Sequence, residues 1–195
     1  SISAHKMHGP KGVGAMYVRR GTPVEPLMVG GTHERRQRAG TENVPGIVGL
    51  GRAAVLAKES HADGTIDRLA TLRDRLEAGV LKLPGTRVNG GSNGTRRTAN
   101  TTNITFDQVE GEAMVIALDL KGVAVSGGSA CHSGSTEPSH VLMAMGLDKN
   151  AARASLRFSL MKTATEADVD HVLQVVPEAL EHLRALSPVA AGTLG

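Results

Sequence analysis

The chain has 195 residues, enough for one domain or one and a half, and 40% of them are hydrophobic, which supplies a core but falls short of a membrane protein. The formal net charge is +3, the basic residues are scattered apart from His33, Arg35, Arg36 and Arg38, and the aromatic residues are one Tyr and two Phe. That balance speaks against a nucleic-acid binder, which needs stacking rings or a longer basic stripe, and no unbroken apolar run reaches membrane-spanning length.

The opening at Ser1 has no initiator Met, basic n-region or apolar h-region. It does not read as a signal peptide and is expected to be the interior of a longer polypeptide. Residues 13–19 and 24–29 read as two short strands joined by a turn at Gly21, Thr22 and Pro23. Residues 30–43 are polar without apolar period and form a long loop, a kind of segment that tends to be functional. From Val44 the spacing of Ile47, Leu50, Ala54 and Ala57 predicts a helix, weakened by Gly46, Gly49 and Gly51. The pattern breaks near Glu59. The first part is therefore placed at 1–59 and the second at 60–195.

In the second part, Asp63 or Thr65 caps a helix whose buried face is Ile66, Leu69, Leu76, Val80 and Leu83, stopped by Pro84 and Gly85. Residues 87–89 and 101–106 read as strands, 111–120 as a helix and 123–125 as a short buried strand. Residues 126–136 form a Gly/Ser loop with Cys131. A short helix at 139–145, a strand at 154–160 and a long helix at 165–186 follow. Thr165 caps that last helix, with acid in its first turn, and Pro177 is expected to kink it. The alternation predicts an α/β layer with helices over one face of a sheet.

Four segments hold candidate chemistry. Lys6 follows Ser3, Ala4 and His5 and precedes a Gly-rich turn. Three readings stand open: a surface lysine, a phosphate loop that matches no Walker spacing, or a lysine that forms a Schiff base. Cys131 lies in Ser126-Gly127-Gly128-Ser129-Ala130-Cys131-His132-Ser133-Gly134-Ser135. A lone cysteine cannot form an internal disulfide, or a metal site without His or carboxylate help, so a reducing, cytoplasmic setting and no metal are expected. It reads either as a small buried hydrophobe or as a reactive thiol, and a protonated His132 would favour its thiolate. The run from Gly30 to Asn43 sets basic groups and the Thr41 hydroxyl among glycines, a solvated charged loop or an anion site. Arg157, at an alternating strand position among apolar residues, wants a carboxylate partner from the protein or a ligand.

Taken together these segments resemble the cysteine desulfurases of the NifS/IscS type, within the class V aminotransferase-like enzymes. The matching residues are S-x-S-A-H-K-x-x-G-P-K-G-V-G-A-x-Y-V-R-R at 1–20 and G-G-T-H-E-R-R-x-R-A-G-T-E-N-V at 30–44. They continue with N-I-T-F at 103–106, S-G-G-S-A-C-H-S-G-S-x-E-P-S-H-V-L-x-A-M-G-L at 126–147, S-L-R-F-S-L at 155–160 and T-E-A-D-V-D at 165–170. The likeness runs over nearly the whole chain.

The resemblance implies a pyridoxal-phosphate-dependent transferase of fold type I. Residues 1–59 would be the end of the large cofactor-binding domain and its connecting helix, and 60–195 the small C-terminal α/β domain. It implies that Lys6 binds pyridoxal 5'-phosphate covalently, that Ser3 and His5 contact its phosphate, and that Thr41 reaches the phosphate of the other subunit of a homodimer. It implies that Arg157 holds the substrate carboxylate and that Cys131 takes sulfur from L-cysteine as a persulfide, leaving L-alanine. An iron–sulfur scaffold or the tRNA-thiolation machinery would receive the sulfur; direct nucleic-acid or membrane binding is not implied. A related lyase or aminotransferase of the same fold, or an inactive small-domain fragment, are the alternatives. The family's N-terminal half, with a ring-stacking His and an Asp facing the pyridine nitrogen, is not in this sequence. Met161 stands where the family usually has Gly, and the tail after Pro188 is short.

Overall fold

A computed structural model describes residues 1–91, 97–127 and 137–186, which divide into two compact units, Ser1–Gly64 and Thr65–Gly195. In the first unit β1 (Ile2–Ser3) pairs antiparallel with β2 (Gly14–Ala15). The chain between them tightens into a 3-10 turn, Ala4–Met7, which ends at His8 in the left-handed region (φ 64°). Ala4 N–H donates to Val13 O at 3.0 Å and Gly9 N–H to Ala4 O at 2.8 Å. A Cβ at Gly9 would lie 2.9 Å from Ala4 Cβ and 3.0 Å from Ala53 Cβ, so only glycine lets this turn pack so closely.

The expected helix is α1 (Val44–Ala62), which runs on through Glu59. Asn43 caps it, its side chain accepting from Gly46 N–H at 3.1 Å, and Pro45 occupies the first turn, where a missing N–H costs nothing. The two strands read at 13–19 and 24–29 need correction. The first is paired only at Gly14–Ala15, because its partner turns into the 3-10 helix after Ser3. The second is not a strand: Pro23 and Pro26 remove two ladder donors, and Leu27 and Val29 stay exposed.

The second unit is built on an antiparallel sheet in the order β3 (Thr86–Val88), β4 (Thr101–Phe106), β5 (Ser155–Ser159). Its register sets Val88 opposite Ile104 and Ile104 opposite Leu156. Side chains alternate across a strand, so Ile104, Phe106, Leu156 and Phe158 share one face, with Val88 packed against them. Phe106 and Phe158 meet with ring centroids 6.3 Å apart, tilted at 52°. Three helices cover this face: α2 (Thr65–Val80) with Leu69, Leu72, Leu76 and Val80, α3 (Gly111–Asp119) with Met114 and Leu118, and α6 (Glu166–Leu186) with Val169, Val176 and Leu180. Each such side chain, fully buried, contributes about 1.5–3 kcal/mol.

Polar groups at the rim of this core are matched. Glu77 accepts from Arg97 at 2.6 Å and from Thr102 Oγ1 at 2.6 Å. Burial alone would raise its pKa, but these hydrogen bonds and the charges of Arg97 and Arg73 outweigh that and hold it below the ordinary value. Arg73, nearly buried, is paired with Asp74 and donates to Thr98 O at 2.7 Å. At the start of α6, Asp168 Oδ2 accepts from Thr165 N–H at 2.7 Å while Asp168 N–H donates to Thr165 Oγ1 at 3.3 Å, a reciprocal cap. The helix continues through Pro177 to Leu186.

Two short helices, α4 (His140–Ala144) and α5 (Lys149–Arg153), precede β5. Ser139 and Asp148 cap them; Asp148 Oδ1 accepts from Ala151 N–H at 2.9 Å. Sequence periodicity does not predict α5, since one turn holds too few residues to show a period. The strand read at 123–125 is also corrected. Val123 N–H closes the end of α3 on Leu118 O at 2.9 Å, so ladder pairing begins only at Ser126. No described helix is long and apolar enough to cross a membrane.

Candidate active site

The sheet's second face is polar. Asn103, Thr105, Ser155 and Arg157 alternate with the core residues, and Asn89, just past β3, joins them. Asn89 Nδ2 faces three acceptors with its two hydrogens, Asn103 Oδ1 at 2.7 Å, Thr105 Oγ1 at 2.8 Å and Ser155 Oγ at 3.0 Å, while Asn89 Oδ1 lies 3.1 Å from Thr105 Oγ1. Thr105 and Ser155 hydroxyls lie 2.8 Å apart, and Ser155 Oγ donates to Ala151 O at 2.6 Å. Thr105 and Ser155 are buried, so this network leaves few of its polar atoms to solvent.

Arg157 stands opposite Asn103 on this face, half-buried. Among the described residues its guanidinium has no hydrogen-bond or ion-pair partner. A guanidinium held on a rigid strand without an internal acid is preorganised for an external carboxylate. The Arg157 backbone is fixed on its outer side by Ser126: Arg157 N–H donates to Ser126 O at 2.7 Å and Ser126 N–H to Arg157 O at 3.2 Å. Cys131 lies outside the described residues, but it is five positions from Ser126.

In the other unit Ser3 sits in β1, and His5 and Lys6 sit exposed on the 3-10 turn that follows. Among the described residues, the Ser3 hydroxyl, the His5 ring and the Lys6 amine have no hydrogen-bond or ion-pair partner. The same holds for the exposed Thr41 hydroxyl. This donor set suits a phosphorylated aldehyde: hydroxyls and an imidazole for the phosphate, an unpaired amine for the carbonyl. The loop before α1 is strained, with Glu34, Arg35 and Arg36 at positive φ and His33 Nδ1 buried without a partner. No group of three or more potential metal ligands exists among the described residues.

The sequence singles out Arg157 but assigns no role to Asn89, Asn103, Thr105 and Ser155. Their signal is the alternation itself, which puts Asn103 and Thr105 on the face opposite Ile104 and Phe106. Their partnership depends on strand register, which periodicity does not give.

The family model described as aminotransferase class-V matches residues 1–172. A cysteine desulfurase from a Nostoc species is 55% identical over 189 residues, covering 96% of this chain and 46% of its own length. The cysteine desulfurase IscS of Methanosarcina thermophila is 50% identical over 189 residues, covering 97% and 46%. Among solved structures, a NifS-like protein superposes with a TM-score of 0.81 at 38% identity, covering 93% of this chain and 46% of that one. DndA from Streptomyces lividans superposes at 0.63 with 40% identity, covering 81% and 45%. The chain thus spans about half the length of the relatives it matches.

Proposed function

Because this chain belongs to the aminotransferase class-V family, we propose that its full polypeptide is a pyridoxal-phosphate-dependent cysteine desulfurase. The fold is the α/β fold of NifS-like proteins. The observation that carries the reading is Arg157 on the polar sheet face, its guanidinium without a partner among the described residues and its backbone fixed beside Ser126, from which the sequence runs on to the chain's one cysteine.

Pyridoxal phosphate, when bound, supplies an electron sink for the amino acid's carbon framework. The Lys6 amine would hold it covalently, with Ser3 and His5 on its phosphate and Thr41 reaching the phosphate of a second copy, which makes the enzyme a homodimer. Arg157 binds the carboxylate of L-cysteine through a two-pronged hydrogen bond, which fixes the orientation of the amino acid. Cys131, as a thiolate, attacks the sulfur of the substrate. A sulfur–sulfur bond forms as the carbon–sulfur bond breaks; the electron pair stays with the carbon framework, and the β-carbon takes a proton to give L-alanine. The persulfide on Cys131 then passes its outer sulfur to an acceptor, an iron–sulfur scaffold or a tRNA-thiolation protein. A thiol that must stay reduced between turnovers suits the cytoplasm.

The test uses the full polypeptide. Cys131→Ser abolishes alanine formation from cysteine and leaves cofactor binding intact, whereas Lys6→Ala loses covalent cofactor. Brief exposure of the wild type to cysteine adds one sulfur atom to the mass of Cys131. Full turnover in the Cys131→Ser variant would overturn the assignment.

A further inference from the structure

We infer that Asn103 is a second carboxylate-binding group, whose amide N–H stands beside the Arg157 guanidinium and is aimed by the buried hydrogen-bond chain behind it. The inference rests on reading Arg157 as a carboxylate binder. Three observations on this face support it.

The first is register. Arg157 turns both its N–H and its C=O toward Ser126, away from β4. Asn103 turns its C=O toward β3, where it accepts from Asn89 N–H at 2.8 Å. Asn103 and Arg157 therefore face each other as a non-hydrogen-bonded antiparallel pair. In such pairs the two Cα atoms are only about 4.5 Å apart and the side chains are closest.

The second is the proton inventory. Ser155 Oγ gives its one hydrogen to Ala151 O, so in the 2.8 Å contact with Thr105 it accepts. Thr105 Oγ1 in turn lies 2.8 Å from Asn89 Nδ2 and 3.1 Å from Asn89 Oδ1, so both ends of the Asn89 amide are engaged on this side. Of the three acceptors that face Asn89 Nδ2, Asn103 Oδ1 is the nearest at 2.7 Å, ahead of Thr105 Oγ1 at 2.8 Å and Ser155 Oγ at 3.0 Å. With Asn89 turning Nδ2 toward it, the Asn103 amide sets its oxygen inward and its nitrogen outward.

The third is vacancy of function. Asn103 Nδ2 has no partner among the described residues, and neither does the guanidinium opposite it. Two unpaired donors side by side, one charged and one neutral, match the two oxygens of a carboxylate. The neutral donor adds direction without a second positive charge, and its inward oxygen is locked, so it loses little freedom on binding.

The test is calorimetric titration of the cofactor-loaded full polypeptide with L-alanine and with ethylamine, the same amine without the carboxylate. Asn103→Asp keeps the oxygen that Asn89 needs but replaces the outward donor with an anion that pairs with Arg157. Asn103→Ala removes the donor together with the inward oxygen, introduces no charge, and serves where the first variant does not fold. Affinity for L-alanine is expected to fall about tenfold in Asn103→Ala and further in Asn103→Asp, with ethylamine binding unchanged in both. Equal loss for the two ligands, or wild-type affinity for alanine, would overturn the inference. Arg157→Lys is the control: if it too binds alanine like the wild type, the parent reading of Arg157 fails, whereas alanine affinity lost in Arg157→Lys and kept in both Asn103 variants sinks this inference alone.

Discussion

Arg157 shows what one residue's surroundings decide. An arginine among apolar neighbours on a strand most often serves a structural salt bridge, yet no described acid pairs with it, so its charge remains available. The planar fork matters as much as the charge. Arg157→Lys in the full polypeptide keeps the cation and loses the second hydrogen bond. The apparent KM for cysteine should rise at least tenfold while the absorbance of bound cofactor is unchanged; unaltered kinetics would return Arg157 to a structural role. Alternation in Ser155-Leu156-Arg157-Phe158-Ser159 makes this residue legible in the sequence. Asn103 is not legible in that way. Its alternation shows which face it takes, but its partner is fixed by a register with residues more than fifty positions away.

At the scale of elements, β4 and the start of α3 set the tolerances. Gly111 opens α3, and a Cβ there would sit 2.2 Å from Arg153 O. The obstacle is backbone, which cannot swing aside as a side chain can. Gly111→Ala should therefore destabilise the protein by about 1–3 kcal/mol, read as a lower denaturant midpoint without a change of slope. Most of the elements that are legible in the sequence have a cap or a clear period: α1 with Asn43, α2 with its Leu stripe, α6 with Thr165 and Asp168. The misread ones fail for identifiable reasons. Residues 24–29 and 123–125 have strand-like composition, but prolines remove donors from the first and a helix end takes a backbone donor of the second. The single turn α5 leaves no periodic trace and is visible only through its cap, Asp148.

The whole chain is uneven. The buried hydrophobic residues of unit Ser1–Gly64 are alanines, Ala4, Ala39 and Ala53, while Tyr17, Leu27 and Val29 are more than four-fifths exposed at 86%, 98% and 83%. Unit Thr65–Gly195 holds the large apolar cluster. Residues 65–195 expressed alone should unfold in one cooperative denaturant transition followed by circular dichroism, and residues 1–64 alone should show none. A flat titration for 65–195 would contradict this. The sheet that holds this unit together has a further consequence. Leu156, Arg157 and Phe158 are consecutive, so the phenyl ring that anchors the core and the guanidinium that faces outward are set by the same strand register. A slip of one residue would turn Arg157 into the core and both apolar neighbours out of it. Such a misfolded chain cannot be stable and merely inactive; it forfeits the core along with the ligand. Folding is thus its own proofreading step, since any molecule that passes the test of burying Phe158 has already presented Arg157 on the correct side.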